Sequence, residues 1–264
     1  PEQPLVEGVV DFLQSQKIPV FGPSKAAAQL EGSKVFAKNF MKKYNIPTAT
    51  FKEFSDYQQA LKYLNTLRES KIVIKADGLA AGKGSVVCTD LAEARQALKT
   101  IMVDRIFADA GKQVVIEEFM QGEEASLFVI TDGKDYRVLP PAQDFKRALD
   151  GDRGKNTGGM GSYAPTPVLT PDLYNRTIKE IVEPVLNGLR SEGITYQGVL
   201  YCGLMLTAAG PKIVEFNCRF GDPETQVVLP LLESDLLELC IAVSRQTLAD
   251  YKLSVKSASA ICVI

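Results

Sequence analysis

Ile72-Val-Ile-Lys75-Ala-Asp-Gly78-Leu-Ala-Ala-Gly82-Lys83-Gly84-Ser85-Val-Val-Cys88 decides how the rest of this chain is read. Ile72 and Ile74 alternate with Val73 and Lys75, the pattern of a strand that ends at a polar mouth. Gly78, Gly82 and Gly84 free the backbone of the following loop and let it approach a ligand closely. Its N–H groups suit phosphate oxygens, and Lys75 and Lys83 add charge. The order is not that of a Walker loop, which needs four residues between its first glycine and Gly-Lys, then Ser or Thr, then a helix. Here three residues separate Gly78 from Gly82, Gly84 follows Lys83, and Ser85–Cys88 has the pattern of a second strand. A hairpin that folds over a nucleotide as a flap fits this order. An ordinary glycine-rich turn is the alternative.

The composition narrows the chemistry. The chain has 264 residues, 45% hydrophobic and 23% charged, which is the profile of a globular protein of one large or two modest domains. A net charge of -2 gives no reason to expect nucleic acid or an anionic membrane as partner. Apolar runs fall short of the ~18 residues that span a bilayer, and no signal-peptide pattern is visible. The five cysteines are scattered with no Cys-x-x-Cys pair, so reduced thiols in a cytoplasmic setting are expected, without a zinc site. Histidine is absent altogether, which removes the most common general base and the Ser–His and Cys–His nucleophile pairs. Carboxylates, lysine, arginine, backbone amides and a hard metal remain.

Working outward, apolar spacing predicts a helix over roughly Pro4–Gln16 and another near Lys34–Tyr44, capped by Ser33. Lys34 in a first helical turn opposes the helix dipole unless an anion is near; a solvated surface lysine is the alternative. Ser55 and Thr89 are expected to cap the next two helices. Residues 50–118 then read in outline as β-α-β-β-α-β, ending in the strand Val114–Phe119. Thr131-Asp-Gly-Lys134 marks a hairpin. Gln143–Gly161 reads as a loop of ~20 residues, a length that is usually functional or disordered. Thr170-Pro171 opens a helix to about Arg190, kinked by Pro184. Val199–Leu206 and Lys212–Asn217 form a hairpin, and Leu232–Val243 a buried helix.

The second chemical cluster is Ile213-Val-Glu215-Phe-Asn217-Cys-Arg219-Phe-Gly-Asp222-Pro-Glu224. In a strand Glu215 and Asn217 face the same way, and Arg219 follows if the strand persists. A carboxylate beside an amide oxygen suits Mg²⁺ held jointly with phosphates. Arg219 can clamp a phosphate or a carboxylate. A half-buried strand end before a Gly-Asp-Pro turn explains the pair alone, but not its company with the phosphate-type loop.

Together, Phe21-Gly-Pro-Ser-Lys-Ala-Ala-Ala-Gln-Leu-Glu-Gly-Ser-Lys34, Lys75–Gly84, Asn156-Thr-Gly-Gly-Met-Gly161 and Glu215–Thr225 resemble the glycinamide ribonucleotide synthetase (phosphoribosylamine–glycine ligase) family of the ATP-grasp superfamily. The resemblance implies an α+β ATP-grasp fold, with two α+β lobes sandwiching ATP, and without most of the family's N-terminal Rossmann-like and C-terminal domains. The expected division is 1–22 as the tail of the N-terminal domain, 23–240 as the ATP-grasp domain with a lid at about 50–118, and 241–264 as the start of the C-terminal domain.

By motif, the resemblance places Lys34 and Lys75 on ATP phosphates, with Gly82, Lys83 and Gly84 as the flap. It places Glu117, Glu118 and Phe119 at the adenine hinge and Glu124 on the ribose hydroxyls. Glu215 and Asn217 would bind Mg²⁺ or Mn²⁺. Arg219, Gly221 and Asp222 would face the phosphate and glycine, with Lys75, Arg219 and Asp222 catalytic. Asp144, Lys146, Arg147, Asn156 and Thr157 would line the side that accepts 5-phosphoribosylamine. The family usually reads Asp-His-Lys-Arg where this chain has Asp144-Phe145-Lys146-Arg147, and Phe145 neither donates a hydrogen bond nor accepts a proton. Two other functions fit the same residues: an ATP-grasp ligase with another amine acceptor, and a nucleotide-binding segment without turnover.

Overall fold

The computed structural model describes residues 2–68, 71–80, 83–150 and 153–264, with the side chains of 147 and 153–156 outside the description. Its first elements are short helices: α1 (Glu2–Glu7), α2 (Val9–Ser15), α3 (Gln29–Gly32) and α4 (Lys34–Lys43). The single helix expected over Pro4–Gln16 is broken because Gly8 takes a left-handed φ of 99°. Ser33 caps α4 as expected, accepting a hydrogen bond from the Phe36 N–H.

Residues 51–118 follow the expected order of elements: β1 (Phe51–Phe54), α5 (Tyr57–Leu64), β2 (Ile72–Ala76), β3 (Ser85–Cys88), α6 (Leu91–Met102) and β4 (Val114–Glu118). The strands form one antiparallel sheet in the order β1-β4-β2-β3. Leu64, Leu98 and Ile101 of the two helices pack on Ile72, Ile74 and Ile116. The caps differ by one residue from expectation. Asp56 and Asp90 accept the N3 amides, while Thr89 donates to Glu93 from its N–H and hydroxyl. An aspartate one position on competes for the same orphan amides and has the stronger acceptor.

The next strands are β5 (Glu123–Thr131), β6 (Tyr136–Val138), β7 (Gln143–Asp144), β8 (Arg147–Leu149), β9 (Arg153–Asn156) and β10 (Gly161–Ala164). The stretch Gln143–Gly161 is thus not a structureless loop. It contains an antiparallel hairpin of β8 and β9, polar and short enough to leave no periodic apolar signal. Helix α7 (Pro171–Thr177) and α8 (Glu183–Ser191) are joined by a π-helical turn over Ile178–Val182, just ahead of Pro184. The hairpin β11 (Gly198–Thr207) and β12 (Gly210–Asn217) turns through Ala208-Ala209, and α9 (Thr225–Val228), α10 (Leu236–Ser244) and β13 (Ala260–Val263) complete the elements. Asp235 caps α10, so that helix starts later than the expected Leu232.

The second large sheet runs β12-β11-β5-β6. Alternate residues along it feed two cores. Leu127, Val129, Leu200 and Cys202 pack with Phe40 and Met41 of α4 and Val185 and Leu189 of α8. Phe128, Ile130, Val199 and Tyr201 pack on the other face with Val228, Leu239 and Val243. A third sheet, β13-β10-β7, borders it. Thr48 makes a parallel bridge to Ile213, which sets the first sheet's entry against β12.

Candidate active site

The cleft forms where β2, β4 and α4 meet the end of β12. Strand β2 is buried along its whole length, so Lys75 is a lysine in an apolar strand whose ammonium must find partners. It lies 3.1 Å from Glu117 Oε2 and donates to the Val214 carbonyl at 2.8 Å. Glu117 Oε1 lies 3.1 Å from Lys38 Nζ, at ion-pair distance but without hydrogen-bond alignment. Lys38 aims its aligned bond at Thr48 Oγ1 (2.7 Å), which donates in turn to the Ile213 carbonyl (2.7 Å).

Asp77 answers the dipole objection to Lys34. It accepts from Ser33 Oγ and the Val35 N–H, both at 3.0 Å, and so puts a carboxylate at the N-terminus of α4. Lys34 Nζ donates to the Gly78 carbonyl at 2.9 Å. Gly78 has φ 106°, and a Cβ there would also press on Ala110 at 3.1 Å, so the turn into the flap requires glycine. A cleft opens between these groups, lined among others by Lys34, Lys38, Lys75, Glu117, Glu215 and Asn217.

Glu215 is the electrostatic centre. Burial pushes its carboxyl up, but Lys75, Lys146, Lys34 and Arg219 outweigh this and hold it below its ordinary value. Lys34 is lowered, mainly by burial, against the pull of Glu215. Lys38 is brought down to about 8 by burial, with Glu117 opposing. The cleft sets Lys34, Lys38 and Lys75 among the carboxylates of Glu31, Glu117 and Glu215, so phosphate oxygens entering it would meet ammonium groups directly and the carboxylate of Glu215 through a bridging cation. The side chains of Glu215 and Asn217 spend no hydrogen bond on a described neighbour. Among the described residues no group of three or more His, Cys, Asp or Glu side chains could cage a metal. The pair therefore fits a hard divalent ion only when other oxygens, such as phosphate oxygens, complete the shell.

Strand β12 ends at Asn217, so strand alternation does not orient Arg219. Glu31 does: it lies 3.2 Å from Arg219 Nη2 and accepts the Cys218 N–H at 2.7 Å. Burial raises the Glu31 carboxyl, with Arg219 and the Cys218 amide opposing. Beyond Arg219, Asp222 is exposed and accepts from Gln226, whereas Glu224 is buried and accepts from Ser126 Oγ and Tyr201 Oη, both at 3.0 Å. A Cβ on Gly221 would strike Glu224.

A second, smaller cavity shares Val214 and Glu215 with the first. Glu124, Asp144, Lys146 and Tyr201 line it. Lys146 lies 3.3 Å from Asp144 and 3.9 Å from Glu124; these carboxylates and Glu215 hold it charged against burial. Asp144 is raised, chiefly by burial. Thr157 donates its hydroxyl back to the Lys146 carbonyl at 2.9 Å. Phe145 is exposed and stacks on Tyr163, ring centres 5.8 Å apart.

The structure thus gathers Lys34, Lys75, Gly84, Glu117, Glu215 and Asn217 around one cleft and Glu124, Asp144 and Lys146 around its neighbour. Glu118 points elsewhere, to the Thr50 N–H and Lys212, and Phe119 lies under Lys71. Lys83 is exposed. Gly82 lies outside the described residues, as do the side chains of Arg147 and Asn156. Sequence reasoning missed Lys38 and Glu31. Lys38 had a signal, since it follows Lys34 by four residues and shares its helix face. Glu31 had none, because its partner is distant in the chain.

Comparison with known proteins agrees with this architecture. The sequence model for the ATP-grasp (A) domain of phosphoribosylglycinamide synthetase matches residues 32–225, and that for its N domain matches residues 1–31. A phosphoribosylamine–glycine ligase of Leptospira interrogans serogroup Icterohaemorrhagiae serovar copenhageni is 52% identical over all of this chain and 62% of its own length. A bifunctional purine biosynthetic protein of Schizosaccharomyces pombe is 55% identical over 92% of this chain and 31% of its own. The crystal structure of phosphoribosylamine–glycine ligase from Thermotoga maritima superposes with a TM-score of 0.83 at 38% identity, over 92% of this chain and 61% of that one. A biotin carboxylase from Campylobacter jejuni shares the fold alone, with a TM-score of 0.71 at 16% identity over 96% of this chain and 55% of that one. The fold and cleft are those of an ATP-grasp protein. Within that class, the chain belongs to the phosphoribosylglycinamide synthetase family. It spans between about a third and six tenths of the length of these curated relatives. Among the described residues no helix is long and apolar enough to cross a membrane.

Proposed function

We propose that this chain carries the nucleotide-handling core of an ATP-dependent ligase that joins glycine to 5-phosphoribosylamine, in the cytoplasm, as a step of purine biosynthesis. The observation that carries the reading is the cleft that Lys34, Lys75, Glu215 and Asn217 line together, with Lys146 in the neighbouring cavity that shares Glu215. Family membership and the phosphoribosylamine–glycine ligase activity for which the relatives are named support the substrates.

In this reading Lys34 and Lys75 bind the ATP phosphates, and the backbone of Glu117–Phe119, rather than the side chains, would run along the base. Glu215 and Asn217 would hold Mg²⁺ or Mn²⁺, which when bound supplies further neutralisation of phosphate charge. The glycine carboxylate attacks the γ-phosphorus in line, giving glycyl phosphate and ADP. The amine of phosphoribosylamine then attacks the acyl carbon and releases phosphate. Arg219 orients the carboxylate and the transferring group, with Asp222 beside it. Asp144 and Lys146 line the acceptor side. No nucleophile of the chain enters, so the rate comes from positioning and charge. The sheet of residues 51–118 acts as the lid and excludes water from the acyl phosphate.

The test is phosphate release from MgATP with glycine, with and without freshly generated phosphoribosylamine, beside direct measurement of nucleotide binding. Release that needs both substrates is the expected result. Release with another amine in place of phosphoribosylamine would reassign the acceptor. ATP binding without glycine-dependent release would favour a nucleotide-binding segment, a reading suited to a chain that spans only part of its relatives.

A further inference from the structure

The geometry points to Lys38 as the positioning residue that frees Lys75 for the nucleotide, by sharing the charge of Glu117 through a buried Lys38–Glu117–Lys75 bridge. This role rests on the nucleotide reading of the cleft given above.

Glu117 is buried and presents one oxygen to each lysine at 3.1 Å. With Lys38 in place the trio carries a net charge of +1, and half of the carboxylate is spent on a second lysine whose own hydrogen bond goes to Thr48. Each lysine is also pinned to β12. Lys38 reaches it through Thr48 to the Ile213 carbonyl, and Lys75 directly through the Val214 carbonyl. These are consecutive carbonyls immediately before Glu215. The bridge therefore fixes where Lys75 stands relative to Glu215 as well as how much of its charge is already committed. Without Lys38, Glu117 would hold Lys75 alone, and a buried ion pair of that kind has little left to offer a phosphate. Lys34 is not an equivalent partner, because among the described residues it makes no ion pair with Glu117 and donates instead to the Gly78 carbonyl.

Three variants test this: Lys38→Met, Glu117→Gln and the double variant, each followed by thermal unfolding and by titration with ATP and with adenosine. Lys38→Met is expected to weaken ATP binding by about tenfold or more while leaving adenosine binding within about twofold. Adding Glu117→Gln to Lys38→Met removes the unshared carboxylate and is expected to restore most of the ATP affinity. A merely structural lysine gives a different pattern: adenosine and ATP weaken together, and the second substitution rescues neither. That pattern, or unchanged ATP affinity in Lys38→Met, overturns the role. If Lys38→Met does not fold, Thr48→Val reads the same role by unpinning the ammonium without removing its charge. It is expected to weaken ATP binding about threefold and to leave adenosine unaffected, and unchanged ATP affinity would overturn the role. The unaltered chain is the control. Its failure to bind ATP would instead overturn the nucleotide reading, and this role with it.

Discussion

Glu215 is an acid kept ionised inside a cleft by the charge of four cations placed on separate elements: Lys34 on α4, Lys75 on β2, Lys146 after β7 and Arg219 beyond β12. Under the proposed function its removal takes away a ligand of the divalent ion and one of the carboxylates that balance these cations. Glu215→Ala is expected to lower phosphate release by about a hundredfold or more while the chain still unfolds cooperatively by circular dichroism. Near-normal turnover in that variant would end the metal assignment. Lys38 gives a pH signature. Its folded value of about 8 lies below the ordinary 10.5, so between these the unfolded chain binds more protons at this site. Stability from this group therefore rises with pH across that window. Urea titrations at pH 7 and pH 10 should show the stability difference between the unaltered chain and Lys38→Met moving in favour of the unaltered chain. Lys34, Lys75 and Glu215 were legible in the sequence because each sits in a pattern with chemical meaning: a first helical turn, a strand before glycines, a Glu-x-Asn alternation. Glu31 and the paired state of Glu117 were not, since each takes its meaning from a partner brought near only by folding.

At the scale of elements, strong local signals survived and weak ones moved. The strand pairs around Gly-rich turns formed where alternation and turn residues agreed. The Pro4–Gln16 helix failed at Gly8 because periodicity counts apolar faces and does not register a left-handed break. The β8–β9 hairpin was invisible because its residues are polar and no apolar face repeats. Packing between elements carries its own demand at Gly188 of α8. A Cβ there would come within 2.8 Å of the rings of Phe40 and Tyr44, so α8 can approach α4 this closely only at a glycine. Gly188→Val is expected to cost about 1–3 kcal/mol, measured by urea denaturation, because the rings lie in a filled core. Since α4 carries Lys34 and Lys38, the same variant should weaken ATP binding; stability lost with ATP affinity unchanged would show that α4 keeps its place without this contact.

Across the whole molecule, the lid sheet and the central sheet meet at few points. The Thr48–Ile213 bridge and the Ile213 N–H to Pro47 carbonyl bond (2.8 Å) join their backbones. Lys38 and Lys75 add side-chain ties to the same strand, and Glu118 with Lys212 closes the outer edge at 3.2 Å. A nucleotide bound between the sheets would add contacts to both, so it should stabilise the chain as a unit in proportion to its affinity. At a concentration a hundredfold above the dissociation constant, linkage gives about 2.7 kcal/mol. For a chain of this size that corresponds to a rise in melting temperature of roughly 5 °C or more. MgATP is expected to produce that rise. ATP with excess chelator should produce a smaller one, because Glu215 would face the phosphates without the ion that reconciles them. Adenosine at equal concentration should give a much smaller one, because it brings no phosphate to Lys34 and Lys75. Equal shifts for ATP and adenosine would mean that the base pocket alone supplies the binding energy, and the cationic cluster would then need another explanation.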